Sequence, residues 1–238
     1  NQTLPEFSIK VANTLEEREA VFNLAYQVYM EKGYVQKNQN QWLIKEYDFD
    51  PNTVVLIVKN QDGIIVGSVT IAFESNFRLP AMSLFQNEIE YIRMPEMKIA
   101  EISRLVIDKN YRNSKNILLL LINYLFIYTH HVKEYSRLVI QVNPRHVNFY
   151  KTFLCFDEIS ESRPCSQVQN APAVLLSVSM SIYQNELIKC SQPNFIGSRY
   201  KTLYKNFLKP NQEQLVALYL KKQAKPMTAD EKIYFGFA

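Results

Sequence analysis

The stretch between residues 100 and 142 constrains the fold more than any other. Residues 100–108 interleave apolar Ile102, Leu105 and Ile107 with Glu101, Ser103 and Arg104, and the alternation slips in the middle, as in a central strand with a bulge. Residues 117–132 are apolar almost throughout and read as a helix, and residues 137–142 are a second strand. A strand, a helix and a strand in so short a span return the chain as a parallel neighbour, through a right-handed crossover. The sheet therefore holds at least one parallel pair with a helix across one face.

The rest of the chain extends that unit. A helix is predicted from an Asn13 or Thr14 cap, with Glu16 and Glu17 in its first turn and an apolar stripe of Leu15, Val21, Phe22, Ala25, Tyr26 and Tyr29. Residues 53–59 and 64–73 read as an antiparallel hairpin turning at Asn60, Asp62 and Gly63. A loop or helix punctuated by Pro80 and Pro95 follows; a short helix is expected at 146–152 and a closing strand at 173–182. Beyond Pro193 the chain turns basic and helical, with residues 212–224 as its clearest helix. These elements predict a mixed α/β sheet over residues 1–193, with residues 194–238 as a basic helical extension packed on it.

Composition removes whole classes of function. With 238 residues and 47% hydrophobic content, the chain can bury a sizeable core. Its longest apolar run, 117–128, is broken by Asn123 and falls roughly eight residues short of a bilayer span, so no stable membrane insertion is expected. Residues 1–13 lack the basic-then-apolar order of a signal peptide, and a cytoplasmic location is expected. Cys155, Cys165 and Cys190 are odd in number and without metal-ligand spacing, which predicts reduced thiols and no metal site. Five glycines stand where average usage would place roughly seventeen. Neither G-x-G-x-x-G nor a P-loop can be written, which excludes nucleotide-binding dehydrogenases and P-loop NTPases. Between residues 189 and 225, eight bases face one acid, Glu213, while the net charge is +4. Such a segment suits an acidic partner or is a solvated basic helix face.

Polar side chains inside an apolar strand need a reason. Glu101, Ser103 and Arg104 form either a satisfied structural network or an acid, a hydroxyl and a cation presented at one sheet position. Asn143, His146 and Tyr150 follow the second parallel strand, where open α/β sheets place their ligands.

These two stretches carry a family resemblance. Glu101-Ile-Ser103-Arg104-Leu-Val-Ile-Asp108, followed by Arg112, resembles the central strand of the GNAT acyltransferase superfamily, and its E-x-S-R core is similar to that of acyl-homoserine-lactone autoinducer synthases. The run from Asn143 through Phe149-Tyr150 to Cys155-Phe156 resembles the GNAT pattern of Asn, Phe-Tyr and Gly-Phe, with Cys155 in the glycine's place. Arg163-Pro-Cys and Asn170-Ala-Pro-Ala-Val-Leu-Leu176 resemble the end segment of bacterial N-acyl amino acid synthases. Arg18, Phe22, Tyr26 and Glu46-Tyr-Asp48-Phe-Asp50 resemble the N-terminal half of the autoinducer-type enzymes, so the likeness spans about residues 8–182.

The resemblance implies a GNAT fold with splayed parallel strands and direct attack of an amino acid's amine on a long-chain fatty acyl thioester, with tyrosine suggested by family analogy. Glu101 is implied as general base, a backbone N–H freed by the bulge at Leu105 or Val106 as oxyanion donor, and Tyr150 as general acid or a packing residue. Ser103 belongs with them. Arg104 would either fork onto the substrate carboxylate or pair with Glu101 or Asp48, and His146 would position substrate or cap a helix. Tyr34, Trp42 and Phe49 fall in the segment that closes over the amino substrate in the autoinducer enzymes or are core residues, Asp48 and Asn143 are implied substrate contacts, and the helix from 117 would wall the acyl chain or is an ordinary core helix. The implied alternatives are a homoserine lactone synthase and a noncatalytic acyl-carrier or lipid sensor. The family's R-x-x-G-x-G/A loop is replaced by Arg112-Asn-Ser114-Lys115-Asn-Ile117, without glycine. Backbone amides approach a diphosphate closely only where no Cβ intervenes, so this loop favours the single phosphate of phosphopantetheine, held by Arg112, Ser114 and Lys115. The expected partner is thus an acidic acyl carrier protein steered by the basic tail, with no bound cofactor and no nucleic acid.

Overall fold

The computed structural model describes residues 6–75 and 77–237. The described chain opens with β1 (Ser8–Val11) and α1 (Leu15–Glu31), followed by β2 (Val54–Lys59), β3 (Ile65–Phe73), α2 (Met82–Ile92), β4 (Ile99–Ile107), α3 (Lys115–Ile127) and β5 (Arg137–Val142). Then come α4 (Val147–Leu154), β6 (Asp157–Glu158), β7 (Arg163–Cys165), β8 (Ala171–Ser179), α5 (Met180–Cys190), α6 (Pro210–Gln223) and α7 (Ala229–Tyr234). The strands among the described residues form one mixed sheet in the order β1-β2-β3-β4-β5-β8-β6, with β7 paired to β8 beside that path.

The predicted crossover is present: β4 and β5 are parallel and α3 joins them. The hairpin β2–β3 is antiparallel, and Thr14 caps α1 by accepting from Glu17 N at 3.2 Å. Two differences have physical causes. Residues 180–182 begin α5 instead of finishing the last strand, because the Ser179 hydroxyl accepts from Ile182 N and starts a helix where apolar alternation alone would continue. Strands β1, β6 and β7 were too short to leave a periodic signal.

Two irregularities in β4 position everything that follows. On one edge Ser68 faces Val106 but Thr70 faces Ser103, so Val69 spans both Arg104 and Leu105; this is the predicted bulge, with Arg104 at φ 44°. On the other edge β4 pairs with β5 only from Ile99–Arg137 to Ile102–Ile140. Beyond Ile102 the two parallel strands part.

Helix α3 covers one face of the sheet through Ile117, Leu121 and Leu125, and α1 covers the other through Val21, Phe22 and Ala25. Residues 202–208 close the α3 side. Tyr204 is fully buried and donates its hydroxyl to Leu154 O at 2.7 Å, and Asn123, the polar break in the apolar helix, accepts from Leu208 N at 2.9 Å. The C-terminal end of α6 bonds the N-terminal half, where Val11 N donates to Gln223 Oε1 at 3.0 Å. Among the described residues no helix is long and apolar enough to cross a membrane.

Gly67 sets how closely α3 lies on β3: a Cβ there would stand 2.7 Å from Ile117 Cγ2. Gly67→Ala should therefore destabilise the fold by about 1–3 kcal/mol in chemical denaturation. An unchanged unfolding midpoint would show that the helix can shift without cost.

Candidate active site

The parting of β4 from β5 opens a cavity of about 460 Å³. Glu101, Ser103 and Leu105 line it from β4, Gln141 and Val142 from β5, and Tyr150 from α4; Tyr29, Tyr34, Lys45 and Tyr47 close the N-terminal side. The alternation of the strands explains the central pair. Glu101 lies opposite Val139, two residues before Gln141, so Glu101 and Gln141 share a sheet face.

Glu101 is almost wholly buried, yet both its oxygens have donors: Ala81 N reaches Oε2 at 2.7 Å and Gln141 Nε2 reaches Oε1 at 2.9 Å. Burial pushes its pKa up to about 7, against the pull of these two hydrogen bonds. A carboxyl poised there accepts and releases a proton near neutrality. With its amide nitrogen spent on Glu101, Gln141 keeps a buried Oε1 without a partner, an acceptor left over beside the carboxylate.

Arg104 is committed elsewhere. Its guanidinium forks onto Asp48, with Nη1 also donating to Leu43 O at 2.8 Å and Nη2 to Thr70 Oγ1 at 3.1 Å. Burial opposes its charge, and the Asp48 carboxylate more than restores it, so the guanidinium stays ionised. Of the alternatives read from sequence, the pairing with Asp48 is the one present. Asp48 is thereby corrected from a substrate contact to a buried counter-ion. Ser103 bonds Tyr47 Oη at 2.8 Å. Tyr150 is buried, its hydroxyl bonds no protein group among the described residues, and burial raises its pKa, so it holds its proton through the neutral range. Asn143 Oδ1 caps the following turn by accepting from Arg145 N at 3.2 Å. His146 lines the cavity with its ring 3.1 Å from Arg145 Nε, and burial and the neighbouring cations lower its pKa.

Several predicted residues lie off the cavity. Trp42 packs 5.3 Å from Phe235 and 5.6 Å from Tyr234, because α7 covers it. Phe49 stacks on Phe237 at 4.5 Å. The Val106 side chain packs with Leu24, Ala25, Tyr26 and Val28, while Leu105 faces the cavity. Arg112 is half exposed and pairs with Glu31, Ser114 starts α3 without a side-chain cap, and Lys115 is exposed. Of α3 only Leu118 lines the cavity, since the rest of that helix covers the sheet; Ile140, Val142 and Phe149 supply the other apolar wall. The basic helix is also remote. Lys221 stands in a cleft with Arg137, where β5 begins, whereas the cavity opens past Val142, where β5 ends. The exposed cations that line the cavity are Lys32 and Arg145, and burial, then Arg145 and then Arg112, depress the Lys32 pKa. Gln141 and Lys45 escaped sequence reasoning. Gln141 carries the same signal as Glu101, a polar residue in an apolar strand, whereas Lys45 carries none.

The family model described as N-acyl amino acid synthase FeeM matches residues 20–179. The solved structure of FeeM, an N-acyl amino acid synthase from uncultured soil microbes, aligns with a TM-score of 0.66 at 22% identity, covering 76% of this chain and 95% of that one. BjaI, a CoA-dependent acyl-homoserine lactone synthase solved with SAM and isopentyl-CoA, aligns at 0.55 and 14% identity, covering 76% and 88%. An acetyltransferase of the GNAT family from Streptococcus pneumoniae aligns at 0.52 and 16% identity, covering 74% and 99%, so the fold is GNAT-like. No curated protein matches the chain by sequence.

The raised Glu101 pKa has a stability consequence. An unfolded glutamate releases its proton near 4.5 and the folded one near 7, so the folded state binds more protons between these values and loses stability as pH rises through them. The loss amounts to up to about 3 kcal/mol. Glu101→Gln should remove it, so the variant's denaturation free energy should gain on the wild type between pH 5 and pH 8. Parallel pH profiles for the two proteins would refute the assignment.

Proposed function

The chain belongs to the N-acyl amino acid synthase family and is an acyltransferase; on that premise we propose that it moves a long-chain acyl group from the phosphopantetheine of an acyl carrier protein to the α-amine of an amino acid, with tyrosine as the first candidate. The observation that carries this reading is Glu101, a buried carboxyl held by Ala81 N and Gln141 Nε2 beside the point where β4 and β5 separate, its pKa pushed up by burial to about 7. The pantetheine arm would run through that gap, where the facing strand edges past Ile102 have lost their mutual hydrogen bonds and can pair with its amides.

The amine arrives as ammonium and gives one proton to Glu101, and a remaining N–H is accepted by Gln141 Oε1. Its lone pair attacks the thioester carbonyl, forming the C–N bond with no covalent enzyme intermediate. A backbone N–H released at the bulge, at Leu105 or Val106, takes the oxyanion and contributes about 3 kcal/mol. As the C–S bond breaks, Tyr150 protonates the thiolate and recovers a proton from the amide nitrogen. Ser103 holds Tyr47 on the cavity wall, and Asn143 and His146 shape the mouth, with Tyr34 across from them. Ile140, Val142 and Phe149 suit an alkyl chain.

Two features support a carrier donor. The 112–117 loop has no glycine for a pyrophosphate, and Lys32 and Arg145 line the cavity and would meet the single phosphopantetheine phosphate in place of Arg112, Ser114 and Lys115, which lie off it. The BjaI example of CoA dependence on the same fold makes the donor the first thing to measure. Residues 1–193 would carry the chemistry and 194–238 would complete the packing.

Purified enzyme given tyrosine and either long-chain acyl carrier protein or the matching acyl-CoA should form N-acyl tyrosine faster from the carrier, as read by product mass. Glu101→Gln should lower turnover by ~100-fold or more; full turnover in that variant would remove Glu101 from the mechanism. Reversing Lys32 and Arg145 to Glu should raise the carrier's KM most at low salt, whereas reversing Lys221 and Lys222 should not. The opposite ranking would return carrier docking to the tail.

A further inference from the structure

We infer that Lys45 receives the substrate's α-carboxylate and thereby selects amines that bear one. This rests on the acyltransfer reading above and adds the recognition of the second substrate to it. The cavity is lined by the cations Lys32, Lys45, Arg104 and Arg145. Arg104 is already answered by Asp48. Lys32 and Arg145 are exposed at the mouth, and the latter donates from Nε to the His146 ring.

Lys32, like Lys45, has no side-chain partner among the described residues, but it is exposed and water answers its charge; Lys45 lies deeper. It is half-buried, and among the described residues its ammonium has neither a hydrogen-bond acceptor nor an ion-pair partner. Its nearest acid cannot serve, since Asp48 is spent on Arg104 and on the backbone N–H of Lys45 itself, at 2.7 Å. Burial and the charge of Arg104 disfavour its ammonium, and the nearby Asp48 carboxylate only partly offsets them. The backbone of Lys45 is fixed by that bond to Asp48, and the turn it begins is tied to β4 through Tyr47 and Ser103, two residues from Glu101. One cavity thus presents two acceptors, Glu101 and Gln141, on its sheet side and an unanswered cation beside Tyr47. A zwitterion matches that polarity; a simple amine leaves the lysine unpaired.

The test compares amino acids with their decarboxylated counterparts as acceptors: tyrosine with tyramine, phenylalanine with phenethylamine, leucine with isoamylamine. The wild type should prefer the amino acid in kcat/KM by about 30-fold or more. Lys45→Met should bring that ratio near one by raising the amino acid's KM, with the acyl donor's KM unchanged, and Lys45→Arg should keep most of the preference. A preference retained in Lys45→Met overturns the inference, as does a rise in donor KM alone, which would assign the lysine to the donor phosphate. A wild type that acylates none of these acceptors would sink the acyltransfer reading itself, a result distinct from either.

Discussion

The site depends on one buried ion pair. Arg104 sits at the β4 bulge in a left-handed conformation that an arginine does not choose unaided, and its guanidinium is clamped by Asp48, Leu43 O and Thr70. Those bonds fix the bulge to the segment that carries Lys45 and Tyr47. A buried pair of this kind is costly to break from one side, because the remaining charge is left without water or partner. The bulge turns β4 away from β5, and without that divergence there is no cavity.

A second constraint acts on the acid. Water is kept from Glu101 by the sheet and by the loop before α2, which raises its proton affinity, while Ala81 N and Gln141 restrain the rise. Full burial without donors would leave a carboxyl that rarely ionises, and full exposure one that rarely holds a proton. Its position three residues before Arg104 at the bulge gives it burial together with the hydrogen bonds of two other elements.

Much of this was legible in the sequence, and the reasons differ by residue. The slip in alternation at 103–105 announced the bulge because it changes the period itself, and Glu101 and Ser103 stood out against apolar neighbours. Cys155 in the family's glycine position has φ 57°, so the pattern reported a backbone conformation that a thiol-bearing residue also tolerates. Trp42 and Asp48 were misplaced because what covers them comes from elsewhere in the chain: α7 for the tryptophan, the bulge arginine for the aspartate. Lys45 could not be found at all. A lysine in a polar segment looks solvated until the fold shows that nothing answers its charge.

The C-terminal residues bear on how the chain is made. Tyr204 and Phe207 fill the space beneath α3, Gln223 bonds β1, and Arg18 near the start donates to Glu231 and to Lys225 O near the end. A nascent chain emerging from the ribosome would therefore show an unfinished apolar floor until residues 204–231 have followed the sheet out. The interval between synthesis of the β-strands and arrival of α6 and α7 is when apolar surface on this sheet is most open to aggregation.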